Sequence, residues 1–279
     1  MAKLSKRELA AHEKAAALVA LDRPLTLDER IQVAEDWHEG AGGDQTAASA
    51  FFTPCDMASD LRLDMPQRGS FVDLCAGIGR LAFFAGGQAM FEECRHRYER
   101  IVCVERNPAY VEVGRRILPE AEWICGDIFD PEIVRKVGRV DKAILNPPFG
   151  MTTKTPFEAP RYRGADFDLK AMDLAATLAP DCWAIVPRDR APWNWRGDRQ
   201  ESARETRFHN ATGLHLHRFS SVCPEYHRDG WRGTSPAVEL VAFGEDVEAE
   251  QTSTRTIHEP APVRIKQAQA GQLALFAMD

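Results

Sequence analysis

The amino-acid sequence predicts an α/β fold with a seven-stranded, mainly parallel sheet, an antiparallel edge and helices on both faces. From residue 71 onward, short apolar segments alternate with stretches of helical character, which is typical of parallel strands joined by crossover helices. After the fifth such segment the alternation stops. Two further strands, at about 212–219 and 236–243, follow with no clear helix between them and can form an antiparallel edge. The parallel strands are predicted from the segments FVDL, IVCVE, EWIC, KAILN and CWAIVP.

The chain divides into three predicted regions. Residues 1–50 form an N-terminal helical segment, because apolar residues recur at helical spacing over 5–20 and about 26–38. Residues 51–244 contain the alternating pattern and form the predicted α/β domain. Residues 245–279 are mostly polar and show no sustained period, so we expect a flexible tail.

Composition narrows the class of protein. With 279 residues, 44% of them hydrophobic, the chain can bury a substantial core. A formal net charge of −7 argues against a surface coated in basic residues, so contact with nucleic acid would need a local patch. The first residues lack the apolar core of a signal peptide, and no segment reaches membrane-spanning length. Seven cysteines without a CxxC pair indicate reduced thiols in a cytoplasmic protein.

A glycine-containing turn follows the first predicted strand in FVDLCAGIGR. Gly77 and Gly79 lack the Cβ that would collide with a ligand close to the backbone, and Cys75 belongs to the same turn. Asp73 lies near the carboxyl end of the strand, where open α/β sheets bind ligands. Two ordinary explanations remain open: glycines also close such turns, and Asp73 can cap the next helix.

Acidic residues also follow the next two strands. Glu105 ends the second strand, with Arg106 beside it, and its carboxylate can accept hydrogen bonds from two neighbouring hydroxyl groups. Asp127 comes just after the third strand, where it can accept a hydrogen bond from an amino group while Ile128 packs beside a ring. A solvated acid at 105 and turn chemistry at 127 are the alternatives.

The segment NPPFG follows the fourth predicted strand. Asn146 supplies a side-chain carbonyl acceptor, and Pro147 supplies a backbone carbonyl. Pro147 and Pro148 also fix the backbone without donating hydrogen bonds. Phe149 offers a flat face for a planar group, or is an ordinary core residue. Two neighbouring acceptors can hold both hydrogens of one amine.

Together and in this order, these segments resemble the class I S-adenosylmethionine-dependent amino-methyltransferases, whose N6-adenine branch carries an Asp/Asn/Ser-Pro-Pro-aromatic motif. The resemblance covers residues of about 50–190. The segment FFTP at 51–54 looks like the motif that precedes the glycine turn in the gamma arrangement of adenine methyltransferases, where it folds over the cofactor. The resemblance implies a Rossmann-like methyltransferase fold and S-adenosylmethionine as the cofactor. The cofactor-binding residues that it implies are Phe52, Thr53, Pro54, Asp73, Cys75, Gly77, Gly79, Glu105, Arg106, Asp127, Ile128 and Asn146.

The same resemblance assigns the chemistry to Asn146, Pro147, Pro148 and Phe149. An aromatic amine is a poor nucleophile, because its lone pair is delocalised into the ring. Carbonyl oxygens of Asn146 and Pro147 that hold both amine hydrogens would localise that pair and stabilise the developing positive charge. A target adenine inside a duplex would first leave the stack, and Phe149 would support it. This chemistry requires neither a strong base nor a metal.

Recognition of the substrate is expected to come from loops, since no separate recognition domain follows the catalytic core. Lys154, Arg161 and Arg163 lie on the loop after NPPFG. Residues 188–232 then combine nine arginines with interleaved tryptophans, a composition that suits phosphates and splayed bases. A solvated loop with tryptophans packed on the sheet edge is the alternative. From this region the candidate substrate-binding residues are Trp193, Trp195 and Arg196.

The leading hypothesis is methyl transfer to the N6 amino group of adenine in DNA. The same reaction on RNA is a close alternative, because NPPFG followed by a lysine and an Asp-containing helix start also resembles RNA methyltransferases. Methylation of a glutamine side chain in a protein uses the same two acceptors, but that group more often carries tyrosine after the prolines. A degenerate methyltransferase fold that acts as a binding subunit is a fourth possibility.

A short apolar segment returns near residue 279, in QAQAGQLALFAMD. Gln272, Leu273, Leu275 and Phe276 resemble the pentapeptide with which bacterial replication proteins bind the sliding clamp. A terminal turn that packs on its own domain is the alternative. A linker from about 245 to 271 would let the catalytic domain reach DNA threaded through a clamp, and this places DNA ahead of RNA.

Overall fold

The computed structural model describes residues 4–38, 51–63, 65, 68–90, 98–151, 153–193, 196, 198–200, 202–218, 222–231 and 235–244. In these ranges seven strands form one sheet: β1 (Ser70–Leu74), β2 (Arg100–Glu105), β3 (Glu122–Cys125), β4 (Lys142–Leu145), β5 (Asp181–Pro187), β6 (His217–Arg218) and β7 (Val238–Phe243). The α-helices are α1 (Lys6–Val19), α2 (Leu27–Asp36), α3 (Cys55–Leu61), α4 (Arg80–Ala85), α5 (Pro108–Ile117), α6 (Pro131–Val137), α7 (Phe167–Leu178) and α8 (Ala203–Thr212), and 3-10 helices span Arg188–Arg190 and Pro224–Gly230.

The sheet is parallel at its centre and antiparallel at one edge. Its strand order is β3-β2-β1-β4-β5-β7-β6, in which β1 to β5 are parallel, β7 runs antiparallel to β5, and β6 runs antiparallel to β7. This confirms the predicted seven-stranded sheet with an antiparallel edge. The strand order reverses between β1 and β4, and the carboxyl ends of both strands therefore flank a crevice suited to a ligand.

Two hydrophobic clusters cover the two faces of the sheet. Helices α1 to α5 contribute to the first cluster, with buried residues such as Ala15, Met57 and Ile117. Helices α6, α7 and α8 contribute to the second, with residues such as Ile133 and Phe208. Both faces are covered, as predicted, which explains why the central strands are apolar along their whole length.

The edge of the sheet corrects one sequence prediction. A strand was expected over about 212–219, but β6 has only two residues, and α8 occupies 203–212. The Ser202 side chain accepts a hydrogen bond from the Glu205 amide at the start of α8, and Gly213 ends the helix in the left-handed conformation. Only Phe208 and Thr212 of this helix are buried, so its apolar periodicity was too weak to detect.

The N-terminal helices dock onto the α/β unit. Capping boxes open both, with Ser5 and Glu8 at α1 and Thr26 and Glu29 at α2. Buried Arg30 of α2 donates from Nε to the carbonyl of Ile117 at 2.5 Å and pairs with Glu120 at 2.8 Å. These contacts hold α2 against the end of α5. None of the helices in the described ranges is long and apolar enough to cross a membrane.

Candidate active site

A cavity of about 660 Å³ opens at the carboxyl ends of β1, β2, β3 and β4. Its volume lies within the range of about 300–1,000 Å³ that is typical of small-molecule sites. Twelve of the residues predicted from sequence line it: Phe52, Thr53, Asp73, Cys75, Gly77, Glu105, Arg106, Asp127, Ile128, Asn146, Pro148 and Lys154. The fold therefore brings together residues from segments that are far apart in the sequence.

The turn after β1 depends on the absence of a side chain at Gly77. This residue has φ +57°, and a Cβ there would lie 2.7 Å from the ring of Phe52. Gly79 has a different role from the one predicted: it starts α4 in the left-handed conformation, does not line the cavity, and packs against Trp123. Cys75 also has positive φ, at +66°, which is rare for a residue with a side chain.

Asp73 combines the two roles that the sequence left open. Its Oδ2 accepts a hydrogen bond from the Ala82 amide at 3.1 Å, so one oxygen does hold the following helix. Its Oδ1 is buried and has no hydrogen-bond partner in the described chain, and the residue lines the cavity. Burial raises the pKa of Asp73 well above the usual carboxyl value, and the nearby charge of Glu105 raises it further. A cationic ligand group would satisfy this oxygen.

Glu105 is held rigidly at the end of β2. Its Oε2 accepts from the Gly77 amide at 2.8 Å, and its Oε1 accepts from the Asn107 amide at 2.7 Å. Burial raises the pKa of Glu105, while these backbone hydrogen bonds oppose the shift. Each carboxylate oxygen retains capacity for a further donor, so two ligand hydroxyls can bind side by side.

The side chain of Asp127 forms part of the turn after β3. Asp127 Oδ1 accepts from the Phe129 amide at 3.0 Å, which is the turn chemistry considered as the alternative. Asp127 and the buried Ile128 nevertheless both line the cavity. The acid therefore shapes the turn and faces the ligand space.

The FFTP segment lies against the glycine turn. The Phe52 ring is 7% exposed, meets Tyr110 edge to face at 5.2 Å between centroids, and lies 5.3 Å from the Arg80 guanidinium. Arg80 also donates to the Thr53 carbonyl at 3.5 Å. Pro54 is buried next to Gly230 instead of lining the cavity. We refer to Phe51, Phe52 and Thr53 as the strap.

Asn146 connects the end of β4 to the strap. Its Nδ2 donates to the Phe51 carbonyl at 2.8 Å and to Thr53 Oγ1 at 3.0 Å. The Phe51 carbonyl fixes the orientation of the amide, because a carbonyl only accepts and must therefore face the Asn146 nitrogen, whereas the Thr53 hydroxyl could also donate. Asn146 Oδ1 is left as an acceptor at the wall of the cavity.

The rest of the NPPFG segment departs from the prediction. Pro148 lines the cavity, whereas Pro147 is buried and Phe149 does not belong to the lining. Phe149 packs against the hydrophobic cluster on the α1–α5 face of the sheet. This is the core role that the sequence left open for Phe149, and it leaves no evidence in the described residues for a stacking platform there.

The predicted substrate-binding residues are dispersed. Lys154 lines the cavity, and its carbonyl accepts from Arg106 Nη1 at 3.0 Å. Arg161 instead has a structural role, since it pairs with buried Asp173 at 2.7 Å and donates to the Thr212 carbonyl at 3.0 Å. The side chain of Arg163 bonds to backbone carbonyls of its own loop, Trp193 is half-buried against the second cluster, Arg196 is exposed, and Trp195 lies outside the described residues.

Several arginines of the arginine-rich region form ion pairs. Arg188 pairs with Glu239 at 2.9 Å, Arg204 pairs with Asp166 at 2.9 Å, and Arg190 is buried among carboxylates. These three arginines are therefore held by carboxylates of the fold, whereas the sequence suggested that they belong to a basic surface. Among the residues that the structure describes, no group of three or more potential ligands could hold a metal.

Sequence reasoning missed about half of the lining. Several of the missed residues, such as Tyr110, Arg80 and Phe167, come from helix starts or helix faces that only the folded sheet brings to the cavity. Asn107 could have been found, because Asn before Pro at a helix start is an N-cap signal, and its Oδ1 does accept from the Ala109 amide at 3.0 Å. The others are Phe51, Ala76, Leu81, Val104, Pro108, Gly126 and Thr153.

No family model and no curated protein matches the chain, but solved structures are similar in fold. The modification subunit ascribed to a type I restriction enzyme of Vibrio vulnificus YJ016 aligns with a TM-score of 0.53 and 14% identity, over 80% of this chain and 51% of that one. A protein of Listeria monocytogenes ascribed to the class I S-adenosylmethionine-dependent methyltransferases aligns at TM-score 0.49 and 10% identity, over 86% and 81% of the two chains.

A protein of Pyrococcus horikoshii described as an RNA methyltransferase aligns at TM-score 0.46 and 19% identity, over 87% of this chain and 98% of that one. Identities this low support a conclusion about the fold alone. That conclusion rests on the Vibrio subunit, and this chain spans about half of its length. The chain has a Rossmann-like α/β fold.

Proposed function

We propose that this chain transfers a methyl group from S-adenosylmethionine to the N6 amino group of adenine in DNA. The observation that carries the proposal is the fixed amide of Asn146, whose nitrogen is bonded to Phe51 and Thr53 and whose oxygen remains an acceptor at the cavity wall. An exocyclic amine needs such an acceptor, because binding its hydrogens localises the lone pair on nitrogen.

The cavity fits S-adenosylmethionine by its charge and its donors. Asp73 offers a buried, unpartnered carboxylate oxygen to an ammonium group, and Glu105 offers two oriented oxygens to the ribose hydroxyls. Asp127 and Ile128 border the space for an adenine ring. When bound, this cofactor supplies an electrophilic methyl group on a positively charged sulfur.

Asn146 and the strap would work together on the acceptor amine. Asn146 Oδ1 would accept a hydrogen bond from one N–H of the amine, and the Pro147 carbonyl is proposed to accept a hydrogen bond from the other. Since the amide of Asn146 is already oriented by Phe51 and Thr53, little reorganisation would be needed when positive charge develops on the nitrogen. The proton lost by the amine would pass to solvent.

DNA is preferred as the substrate for two reasons. The Vibrio protein of similar fold is a subunit ascribed to a restriction enzyme, and the segment Gln272–Phe276 resembles a sliding-clamp-binding peptide. That segment, with Gln272, Leu273, Leu275 and Phe276, lies outside the described residues. Exposed Lys154 at the cavity is the described cation best placed to meet a phosphate.

The test is transfer of labelled methyl groups from S-adenosylmethionine to adenine-containing DNA, RNA and protein, followed by mapping of the methylated atom. Wild-type protein is expected to produce N6-methyladenine in DNA. Asn146→Ala should lower the rate by about 10² or more, as removal of a preorganised polar group does in other enzymes. The matched control is Thr53→Val, which removes one strap contact but keeps the Asn146 acceptor, and which should lower the rate far less.

Three outcomes would contradict parts of the proposal. Transfer to RNA alone, or to protein glutamine alone, would replace the substrate while keeping the chemistry. Equal losses in Asn146→Ala and Thr53→Val would show that Asn146 acts through the strap and not on the amine. No calorimetric binding of S-adenosylmethionine would remove the cofactor assignment.

A further inference from the structure

The start of α7 holds the NPPFG segment through two hydrogen bonds to Gly150. The Gly150 amide donates to Asp168 Oδ1 at 3.3 Å, and the Gly150 carbonyl accepts from the Phe167 amide at 2.8 Å. Pro147 and Pro148 have no N–H, so Phe149 and Gly150 hold the only backbone donors after Asn146 in this segment. Asp168 uses one of these two donors.

Asp168 is fixed in turn by a buried arginine. It is fully buried, and its Oδ2 accepts from Arg190 Nε at 3.0 Å. The side chain of Arg190 is only 5% exposed and also bonds to Asp166 at 3.1 Å and to Asp189. Arg190 reaches Gly150 itself, since a Cβ added at this glycine would lie 3.8 Å from Nη2. Buried charges of this kind are costly to desolvate and contribute little net stability, so their retention favours a positional role.

We propose that Asp168 and Arg190 are positioning residues for methyl transfer, which hold the Gly150 backbone and thereby the carbonyl acceptors of Asn146 and Pro147. This inference rests on the proposed function. Neither side chain lines the cavity, so both act through the NPPFG segment and not on the substrate. A displacement of the acceptors by about 1 Å is enough to lower a rate about 10²-fold, and a segment with few donors is easily displaced.

The chain offers a matched pair of variants. Asp168→Asn and Asp166→Asn each replace a buried carboxylate that bonds to Arg190 by an amide of the same shape, but only Asp168 contacts Gly150. In Asp168→Asn the amide cannot accept from both Gly150 and Arg190 with its single oxygen, so one donor must face its NH₂ group. Asp166→Asn weakens only the contact that Arg190 makes through Nη2, and leaves both the Arg190–Asp168 and the Asp168–Gly150 contacts in place.

The experiment compares kcat, the KM for S-adenosylmethionine, the melting temperature, and amide hydrogen exchange over residues 146–151 in both variants and the wild type. Asp168→Asn is expected to lower kcat by about 10- to 100-fold with little change in KM, and to speed exchange at Gly150. Asp166→Asn should lower the melting temperature comparably, yet keep kcat within about twofold and leave exchange at Gly150 unchanged.

Equal kcat in the two variants, or an unchanged exchange rate at Gly150 in Asp168→Asn, would overturn the inference. If Asp168→Asn does not fold, Arg190→Lys decides the question, because an ammonium keeps the charge but cannot hold three carboxylates, and kcat should still fall. A wild-type chain that transfers no methyl group would refute the proposed function instead. The hydrogen-exchange comparison would then still test whether Asp168 holds the Gly150 backbone.

Discussion

Three carboxylates lie together in the wall of a cavity that Arg80, Arg106 and Lys154 also line. Asp73, Glu105 and Asp127 all line it, at the ends of three adjacent strands. Their combined effect is visible on Cys75, whose pKa is raised well above the usual thiol value, first by burial and then by these three acids. The part of the cavity next to these carboxylates favours a cationic group of a ligand, because charges interact strongly where water is scarce.

The raised pKa of Asp73 predicts that binding of S-adenosylmethionine depends on pH. Burial keeps Asp73 protonated above the ordinary carboxyl pKa of about 3.9, and a bound cation would favour the ionised form. Affinity should therefore rise as pH increases through the raised pKa, and binding below that pKa should release a proton. Calorimetry over a series of pH values, in buffers of different ionisation enthalpy, measures both effects.

The control for this prediction is Asp73→Asn, whose side-chain oxygen can still accept from the Ala82 amide. This variant should bind more weakly, and its affinity should change less with pH than that of the wild type. An identical pH dependence in the two proteins would assign the titration to another group, with Glu105 the first to examine, because its pKa is also raised by burial.

At the scale of elements, the turn between β1 and α4 and the strap form one unit. Phe52 packs on Gly77, Gly77 donates to Glu105, and Asn146 donates to both ends of the strap. A change in any one of these elements therefore moves the walls of the cavity. The strap joins the cavity wall at Gly77 and Glu105 to the side chain of Asn146.

Gly77→Ala is expected to weaken S-adenosylmethionine binding by at least about tenfold, because the new methyl group would lie 2.7 Å from the Phe52 ring and displace the strap. Its positive φ adds a strain of about 1–2 kcal/mol to the folded state. Calorimetry for the cofactor and thermal unfolding for stability measure the two effects separately.

Gly213→Ala is the matched control for the backbone strain. Gly213 has φ +78° at the end of α8, and a Cβ there meets nothing within 4 Å. The Gly213→Ala substitution should lower the stability by a similar amount without affecting the affinity for the cofactor. Equal loss of affinity in the two variants would mean that the effect at Gly77 comes from global destabilisation and not from the strap.

At the scale of the whole molecule, the proposed contact with a sliding clamp is tested with a peptide of residues 265–279 titrated against a bacterial clamp. The wild-type peptide should bind, and a peptide with Leu275→Ala and Phe276→Ala should bind far more weakly, because adjacent apolar anchors supply most of the affinity of such short segments. Equal or absent binding of the two peptides would end this proposal.

The sheet and the order of its site segments could be predicted because they depend on local patterns. Apolar strands, the turn at Gly77 and the acid Glu105 each occupy a fixed place relative to a strand, and parallel strands bring their carboxyl ends to one edge. The same reasoning failed at Phe149 and Arg161, whose neighbours come from other parts of the chain. Composition alone cannot tell a free arginine from one paired with a buried acid.

The sequence by itself therefore determined the fold class, the seven strands and most of the polar residues at the cavity. The tertiary structure alone decided which way the Asn146 amide faces and how Arg80 contacts Phe52 and Thr53 of the strap. It also decided that Asp168 bonds to both Gly150 and Arg190. The reason is physical: strand and turn patterns reflect neighbours in sequence, whereas hydrogen-bond partners and buried ion pairs depend on distances between residues remote in the chain.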